Sequence, residues 1–449
     1  MANIHVLGKL DALIREGWLD RALFDALAPF DHFRALCSDE PFEGGIGETK
    51  TRTRRGLIIP SPNPIAVGTD PGNASYGVEQ WAVAPKRYGK GIETNLEDSV
   101  INIINTFMAD SKSLFEHAGA TLGVLARQKL FNAYLGGNTS ATAAQGGGGS
   151  TSLPVKSCAG FYRTNNAAGQ EVAVGVSNPI AITIGASTSA SVTGVTPDDS
   201  DFPNGPGTLT LAVAKTWSDN DAVRAANRPL VYRPGGALST EGLTSNDTLD
   251  WATIRSIVQR LRTFRVPTYS DGHYYCFLSH AGENQLLSDL DNLGLALRTA
   301  PGDMMVKEGL LGVMNGVAFV SIADSPTSLT VQTTGDDKED FAGTLVNEAN
   351  VEVHRALVVG QGAITEDYMP QENVIEQASS RQELEIGSRQ KVINRVRWIF
   401  RPPMDKSGEI VTQTWRWTGD FGIPADTTAF YGRDLARFKR AIVAEHAGS

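Results

Sequence analysis

Cysteine is nearly missing from this chain, with three in 449 residues, Cys37, Cys158 and Cys276, odd in number and far apart. That excludes a disulfide framework and a Cys-X-X-Cys metal site, and reads as buried or half-buried thiols. Long apolar runs are missing too: none approaches the roughly 20 residues a membrane span needs. The first 35 residues mix Asp11, Arg15, Glu16, Asp20, Arg21 and Asp25 with apolar positions, so no signal-peptide core is seen and a cytoplasm is the expected place of synthesis and folding. Basic residues are outnumbered, 40 Lys and Arg against 50 Asp and Glu, for a formal charge of -10. A dedicated nucleic-acid binder is therefore unexpected, because phosphate affinity comes chiefly from clustered cations.

Catalytic signatures are absent as well. Residues 44–51 read Gly-Gly-Ile-Gly-Glu-Thr-Lys-Thr, but Thr49 stands where a phosphate loop needs glycine before Lys50, and no apolar strand precedes it. His273, Cys276 and His280 fall within eight residues, yet on a strand positions 273 and 276 point to opposite faces. There is no His-Glu-X-X-His and no Gly-X-Ser-X-Gly. The acidic runs Asp198–Asp201 and Asp336–Asp340 lack calcium-loop spacing and read as solvated loop tips. No catalytic residue, cofactor or metal ligand is expected.

What is present is a globular composition, 41% hydrophobic and 20% charged, long enough for two or three domains. Leu10, Leu13, Ile14, Trp18, Leu19, Leu23, Phe24 and Leu27 recur at helical spacing before Pro29. They form either a packed first helix or an amphipathic arm for a neighbour. From Thr49 the period becomes two, with Thr49, Thr51 and Thr53 alternating with Lys50, Arg52 and Arg54, and strands are expected through Leu57–Ile59 and again over Val78–Ile92. Between them the proline-rich 60–64 and Thr69–Asn73 make a protruding tip. One face of this finger is cationic and it has little core of its own, so it should pack on something else.

At Thr94 and Glu97 the spacing suits a capping box, and apolar residues then recur from Leu96 to Leu135 until Gly136-Gly137. That predicts a helix of about 40 residues, against an average near 11. It needs a coiled-coil partner or a flat domain to run along, and the lack of a clean heptad favours the domain. Residues 138–150 read as a flexible linker. Short alternating runs over Val155–Arg233 predict a small β-barrel or sandwich inserted into a larger domain. An α/β segment follows: helices over Asp250–Phe264 and Glu283–Leu290, strands over Tyr274–Ser279, Val317–Ile322 and Ala356–Val359. Two strands, Val392–Phe400 and Ile410–Trp417, and a last helix, Ala429–Glu445, close the chain. Arg389, Lys391, Arg395, Arg397 and Arg401 alternate along the first of these, facing packaged DNA or an acidic subunit boundary, with the boundary preferred.

This order of elements resembles the major capsid proteins of tailed double-stranded DNA bacteriophages, whose fold encapsulins and the herpesvirus shell floor share. The stretches that carry the resemblance are Gly77–Asp98, Asp271–His280, Gly309–Val320 with its turn through Gly312 and Gly316, and Arg355–Ala363. The resemblance implies an α+β fold: an N-terminal arm over 1–40, an extended β-hairpin loop over 41–95 and a spine helix over 96–137. It further implies a linker and β-rich insertion over 138–237, an axial domain over 238–369, and a peripheral hairpin with a C-terminal helix over 370–449. It implies a non-enzymatic shell subunit that forms pentamers and hexamers of an icosahedral head, assembled in a host bacterial cytoplasm and ending in the virion. Trp18, Lys50, Arg52, Arg54, Trp81, Lys86, Arg87, Arg395 and Arg397 are the candidate inter-subunit residues. Scaffolding, portal and decoration proteins and, non-specifically, packaged DNA are the implied partners, with no membrane and no cofactor. An encapsulin-like compartment, which shares the fold, and a β-rich adhesin or glycan-binding protein are the alternative readings.

Overall fold

The computed structural model describes residues 32–42, 49–55, 58, 62, 64–65, 67–73, 76, 78–95, 103–166, 170–293, 312–322, 346–370, 389–401, 403, 409–426 and 436–448. The expected arm with Trp18, the glycine-rich 44–48 and the acidic run 336–340 lie outside them. The fold is α+β: among the described residues strands far outnumber α-helices.

In chain order, Ser38–Pro41 is β1, Lys50–Arg55 is β2 and Val78–Val83 is β3. β2 and β3 pair as a two-stranded finger. The period-two pattern holds, with Lys50, Arg52 and Arg54 on the half-buried face and Thr51, Thr53 and Arg55 exposed. The finger is shorter than expected. The chain breaks at Ala84-Pro85, where proline has no N–H for a ladder, and Lys86–Asn95 (β4) joins another sheet, paired antiparallel with residues 410–419. Thr94 is thus a strand residue and not a helix cap; its Oγ1 donates to Asp110 Oδ2 at 2.7 Å, and Glu97 lies outside the described residues.

Ile103–Tyr134 is α1, 32 residues and about 48 Å long. Leu114, Phe115, Ala118, Leu122, Ala126, Leu130, Phe131 and Tyr134 are buried at the three- and four-residue spacing of one stripe. Gly137, at φ 74°, ends it in the left-handed conformation that suits glycine.

The linker expected over 138–150 is instead structured. Asn138–Ser140 is β5 and Gln145–Val155 is β6, glycines included. Composition misled because glycine favours linkers, but here β6 is irregular: its register against residues 207–217 shifts twice, and Gly147 and Gly149 supply φ values of 73° and 76°. Arg163–Asn165 (β7) and Glu171–Ala173 (β8) form a small hairpin. Ile180–Ile184 (β9), Thr188–Pro197 (β10), Gly207–Trp217 (β11) and Ala222–Ala225 (β12) complete a sheet in the order β5-β12-β9-β10-β11-β6. A bridge between Ala141 and Val155, with Thr142 N–H donating to Pro154 O and Lys156 N–H to Ser140 O, closes it. Of the two architectures the pattern allowed, this is the barrel, filled by Leu153, Phe161, Ile180, Ile182, Val192, Leu209, Trp217 and Val223.

Val231–Tyr232 is β13, Trp251–Thr263 is α2, Tyr274–Leu278 is β14, His280–Leu293 is α3, Val313–Met314 is β15, Val317–Ser321 is β16 and Val353–Val359 is β17. These match the predicted elements closely. Asp250 caps α2 by accepting from Thr253 N–H, and the buried face of α2 is the predicted Trp251, Ile254, Ile257, Val258 and Leu261. The turn into β16 passes Gly312 and Gly316, both at positive φ.

Thr365–Tyr368 is β18, Arg389–Ile393 is β19, Val396–Arg401 is β20, Ile410–Gly422 is β21 and Ala441–Ala447 is β22. Two expectations fail here. The single strand over 392–400 is a hairpin, turned at Asn394 and Arg395 with φ values of 48° and 67°, the pair of left-handed residues that a tight two-residue turn needs. The predicted last helix is a strand where it is described: Ala441–Ala447 is buried along its whole length and pairs with β17. Its apolar part, residues 441–444, is too short to show a period that separates a buried strand from a buried helix.

The chain divides into two compact units. In the first, made of residues 1–51, 82–127 and 364–422, the sheet order is β1-β18-β21-β20-β19, with β4 also on β21. The α1 residues of this unit cover one sheet face: Phe115 meets Trp398 edge-on at 4.3 Å, and Ser111 donates to Gln413 Oε1 at 2.6 Å. In the second unit the sheet order is β13-β22-β17-β14-β16-β15, with α2 and α3 packed on it, and the barrel belongs to the same unit.

Candidate functional site

The finger carries the most unusual chemistry. At its base Arg54 donates to Glu79 Oε2 at 3.3 Å, pairs with Asp426 and lies over the Trp81 ring at 5.8 Å. Arg440 reaches the same Asp426 at 3.4 Å, and Tyr134 donates to Ala363 O at 3.2 Å. Burial and then the neighbouring Arg440 pull the Arg54 pKa down to about 10, against the opposing pull of Glu79. Burial pushes the Tyr134 phenol up, with Arg440 and Arg54 opposing. Two cations and two carboxylates paired in this way hold the finger's base in place. Trp81 is therefore buried inside the chain, beneath Arg54.

The finger's outer part is the reverse. Ile58 is 54% and Ile65 59% exposed, Val67 is fully exposed and Tyr76 nearly half exposed. Four large apolar side chains are thus exposed in the one connection between β2 and β3, and exposed apolar groups of this size are candidates for covering by a partner.

The other predicted residues are scattered among different roles. Lys50 Nζ lies over the Phe42 ring at 5.5 Å and donates to Pro41 O at 3.5 Å. Arg52 is half-buried beside it in β2. Lys86 and Arg87 are exposed on β4, in register with Gly419 and Thr418. Arg395, at its tight turn, pairs with Glu366 and Asp39 and lies over Tyr368 at 4.9 Å. Burial opposes its charge, but Glu366 and Asp39 hold its pKa above the usual value. Arg397 is buried opposite Arg416, and burial followed by that like charge lowers its pKa. The supposed basic stripe is thus split by the turn, with Arg395 drawn into an ion pair and Arg397 and Arg401 left on β20.

Three polar clusters were not read from the sequence. Arg34 holds Glu366 with Nε at 3.0 Å and Nη2 at 2.8 Å, sharing that carboxylate with Arg395. Glu445 is enclosed by Arg233, Arg355 and Thr240. His446 is fully buried and stacks on His354 at 5.7 Å. Arg395 and Glu366 are 29 residues apart and Arg34 and Glu366 are 332 apart, so no local pattern announces these clusters.

His446 carries a pH prediction. Burial drives its pKa down to about 4, assisted by His354 and opposed by the Ala447 carbonyl and by Glu445. The unfolded imidazole takes up its proton near 6.5 and the folded one resists until about 4, so stability is full above pH 6.5 and falls through that window by roughly 3 kcal/mol. Urea unfolding at steps from pH 7 to pH 4 should follow this fall, and His446→Gln should flatten it. A slope unchanged by that substitution would assign the loss elsewhere.

Among the described residues no group of three or more His, Cys, Asp and Glu is placed to hold a metal ion. No known protein family matches the sequence, and no curated protein does. Solved structures similar to this chain include the capsid of a Ralstonia phage, GP4, at 14% identity, covering 93% of this chain and 89% of that one with a TM-score of 0.45. Others are the acid-stable capsid of the Helicobacter pylori bacteriophage KHP30, at 11% identity, 93% and 91% coverage and a TM-score of 0.45, and the capsid of the cyanophage Pam1, at 11% identity, 91% and 88% coverage and a TM-score of 0.46.

Proposed function

We propose that this chain is the major capsid protein of a tailed double-stranded DNA bacteriophage, a shell-building subunit without catalytic activity. The observation that carries the reading is the finger: braced at its base by Arg54, Glu79, Asp426 and Arg440, and bare at its tip, where Ile58, Ile65, Val67 and Tyr76 face solvent. Burying a large apolar side chain contributes about 1.5–3 kcal/mol. A tip that reaches a neighbouring subunit gains this at every contact of a closed lattice, so individually weak contacts sum to a stable shell. The element order agrees: finger, long helix, inserted barrel, α/β sheet and closing strands.

On this reading the barrel is an insertion domain, the sheet of β13 to β17 with β22 belongs to the axial domain, and the sheet with α1 to the peripheral domain. Subunits meet in pentamers and hexamers through the finger, the arm with Trp18, and Lys50, Arg52, Lys86, Arg87 and Arg395. Scaffolding, portal and decoration proteins and non-specifically held DNA are the partners, and assembly takes place in the host bacterial cytoplasm before the protein becomes part of the virion.

Negative-stain microscopy of the purified protein, concentrated under assembly conditions, tests the proposal. Closed polyhedral shells or rings of five and six subunits are the expected result. A uniform population of monomers across the concentration series would rule it out.

A further inference from the structure

In the second unit the turn between β15 and β16 rests against the outer side of α2. Val313 pairs with Ala318 and Met314 with Val317, leaving Asn315 and Gly316 as a two-residue turn with φ values of 55° and 79°. Asn-Gly suits such a turn, since both of its positions are left-handed. Arg262 Nη2 reaches across from the last turn of α2 and donates to Asn315 O at 3.2 Å. A Cβ on Gly316 would stand 3.1 Å from that same nitrogen, so glycine leaves the guanidinium its place. Here an open cleft of about 440 Å³ is lined, among the described residues, by Arg255, Val258, Gln259, Arg262, Thr263 and Asn315.

That lining is rich in hydrogen-bond donors and holds no carboxylate among the described residues. Arg255, Gln259, Arg262 and Asn315 are all exposed. Arg255 and Arg262 stand two helical turns apart on one side of α2, with about 10 Å between their Cα atoms. Among the described residues Arg255 makes no hydrogen bond or ion pair, and the one bond of the Arg262 side chain is that to Asn315 O. Arg260 is turned instead onto the Phe264 ring at 5.0 Å, away from the lining. The helix dipole accounts for a cation in the last turn, where Arg262 sits, but its effect ends there and Arg255 lies further up.

We infer that this cleft binds phosphate groups and that, in the assembled shell, these are backbone phosphates of the enclosed DNA. A guanidinium is a planar fork that takes two oxygens at once, and one fork fills a carboxylate. A phosphate has oxygens pointing several ways and can engage both arginines together with the amides of Gln259 and Asn315. The choice of DNA as the source rests on the proposed function, which places the chain around packaged duplex. The net charge of -10 gives the chain no general attraction to a polyanion, so contact with DNA comes from local donors such as these.

Fluorescence anisotropy of a short labelled duplex with the full chain, between about 0.05 M and 0.2 M salt, tests both parts. Each phosphate contact contributes roughly 0.9 to the slope of log affinity against log salt. Arg255→Gln should therefore lower the slope by about 0.9 and weaken binding about eightfold at about 0.1 M salt. Arg262→Gln should do the same, whereas Arg255→Lys should keep the slope. Should Arg262→Gln melt early through loss of its bond to Asn315, Arg255→Gln decides alone, having no such bond to lose. Inorganic phosphate should displace the duplex from the parent, and acetate at equal ionic strength should not. Equal slopes for parent and glutamine variants overturn the inference, as does displacement by acetate as readily as by phosphate, or a parent that binds neither phosphate nor duplex. Calorimetric binding of inorganic phosphate that depends on these arginines, without any binding of duplex, keeps the phosphate site and overturns DNA as its source. A parent that shows the slope changes but never forms particles removes the shell reading alone, whereas particles with unchanged slopes remove only this site.

Discussion

Ile65→Asp together with Val67→Asp is expected to abolish particle formation while changing unfolding stability by less than about 0.5 kcal/mol. Val67 is fully and Ile65 mostly exposed in the isolated subunit, so replacing them removes little internal contact. Docking is where the change is felt. A carboxylate carried into an apolar contact without a partner costs several kcal/mol, and the cost recurs at each subunit of a lattice. Sedimentation velocity with negative-stain imaging distinguishes the outcomes. Intact shells from the doubly substituted chain would show that the tip makes no contact that matters, and a lowered melting temperature would show that it packs within its own subunit.

Glu445→Ala is expected to destabilise the second unit by about 3–5 kcal/mol, because it leaves buried guanidinium groups without their carboxylate. Arg355 donates to Glu445 Oε1 at 3.0 Å, and Arg233 at 2.8 Å and Thr240 at 2.9 Å to Oε2. Burial alone would raise this carboxyl, but Arg233 and Arg355 bring its pKa down to about 2. With an unfolded value near 4.5, the contribution is complete above that pH and disappears as pH falls towards 2, by roughly 3 kcal/mol. This window lies below that of His446, so acid unfolding should show two stages. His446→Gln should remove the upper stage, and the alanine variant at 445 should lose the lower one along with most of its stability at neutral pH. Equal stability of Glu445→Ala and parent in urea would mean that the two arginines find other partners, and the account of this cluster would be wrong.

Elements with a strong period were legible in the residues. The amphipathic stripe of α2, the alternation of β2 and the ten-residue rhythm of the barrel each follow from side chains that must face one side. The long helix was visible for the same reason. What escaped was set by tertiary pairing. β4 continues the texture of β3, and only the ladder to β21 places it in a different sheet. Gly146–Gly149 carries no side-chain signal, so its inclusion in β6 depends on β11. The helix expected near the end became a strand because β17 offered an edge to pair with. Of the candidate residues, the cationic face of β2 was legible from alternation alone. The ion pairs of Arg54 with Asp426 and of Arg395 with Asp39 join positions more than 350 apart, and nothing nearby in the sequence points to them.

The place of β22 bears on how the chain can fold during translation. It lies between β13, parallel, and β17, antiparallel, so the segment that joins β13 to the rest of its sheet leaves the ribosome more than 80 residues after β17. Until then β17 presents an unpaired margin that is apolar over residues 356–359, the kind of surface through which nascent chains aggregate. A polypeptide released anywhere between 360 and 440 keeps that margin bare, so only chains carrying the late strand complete this sheet.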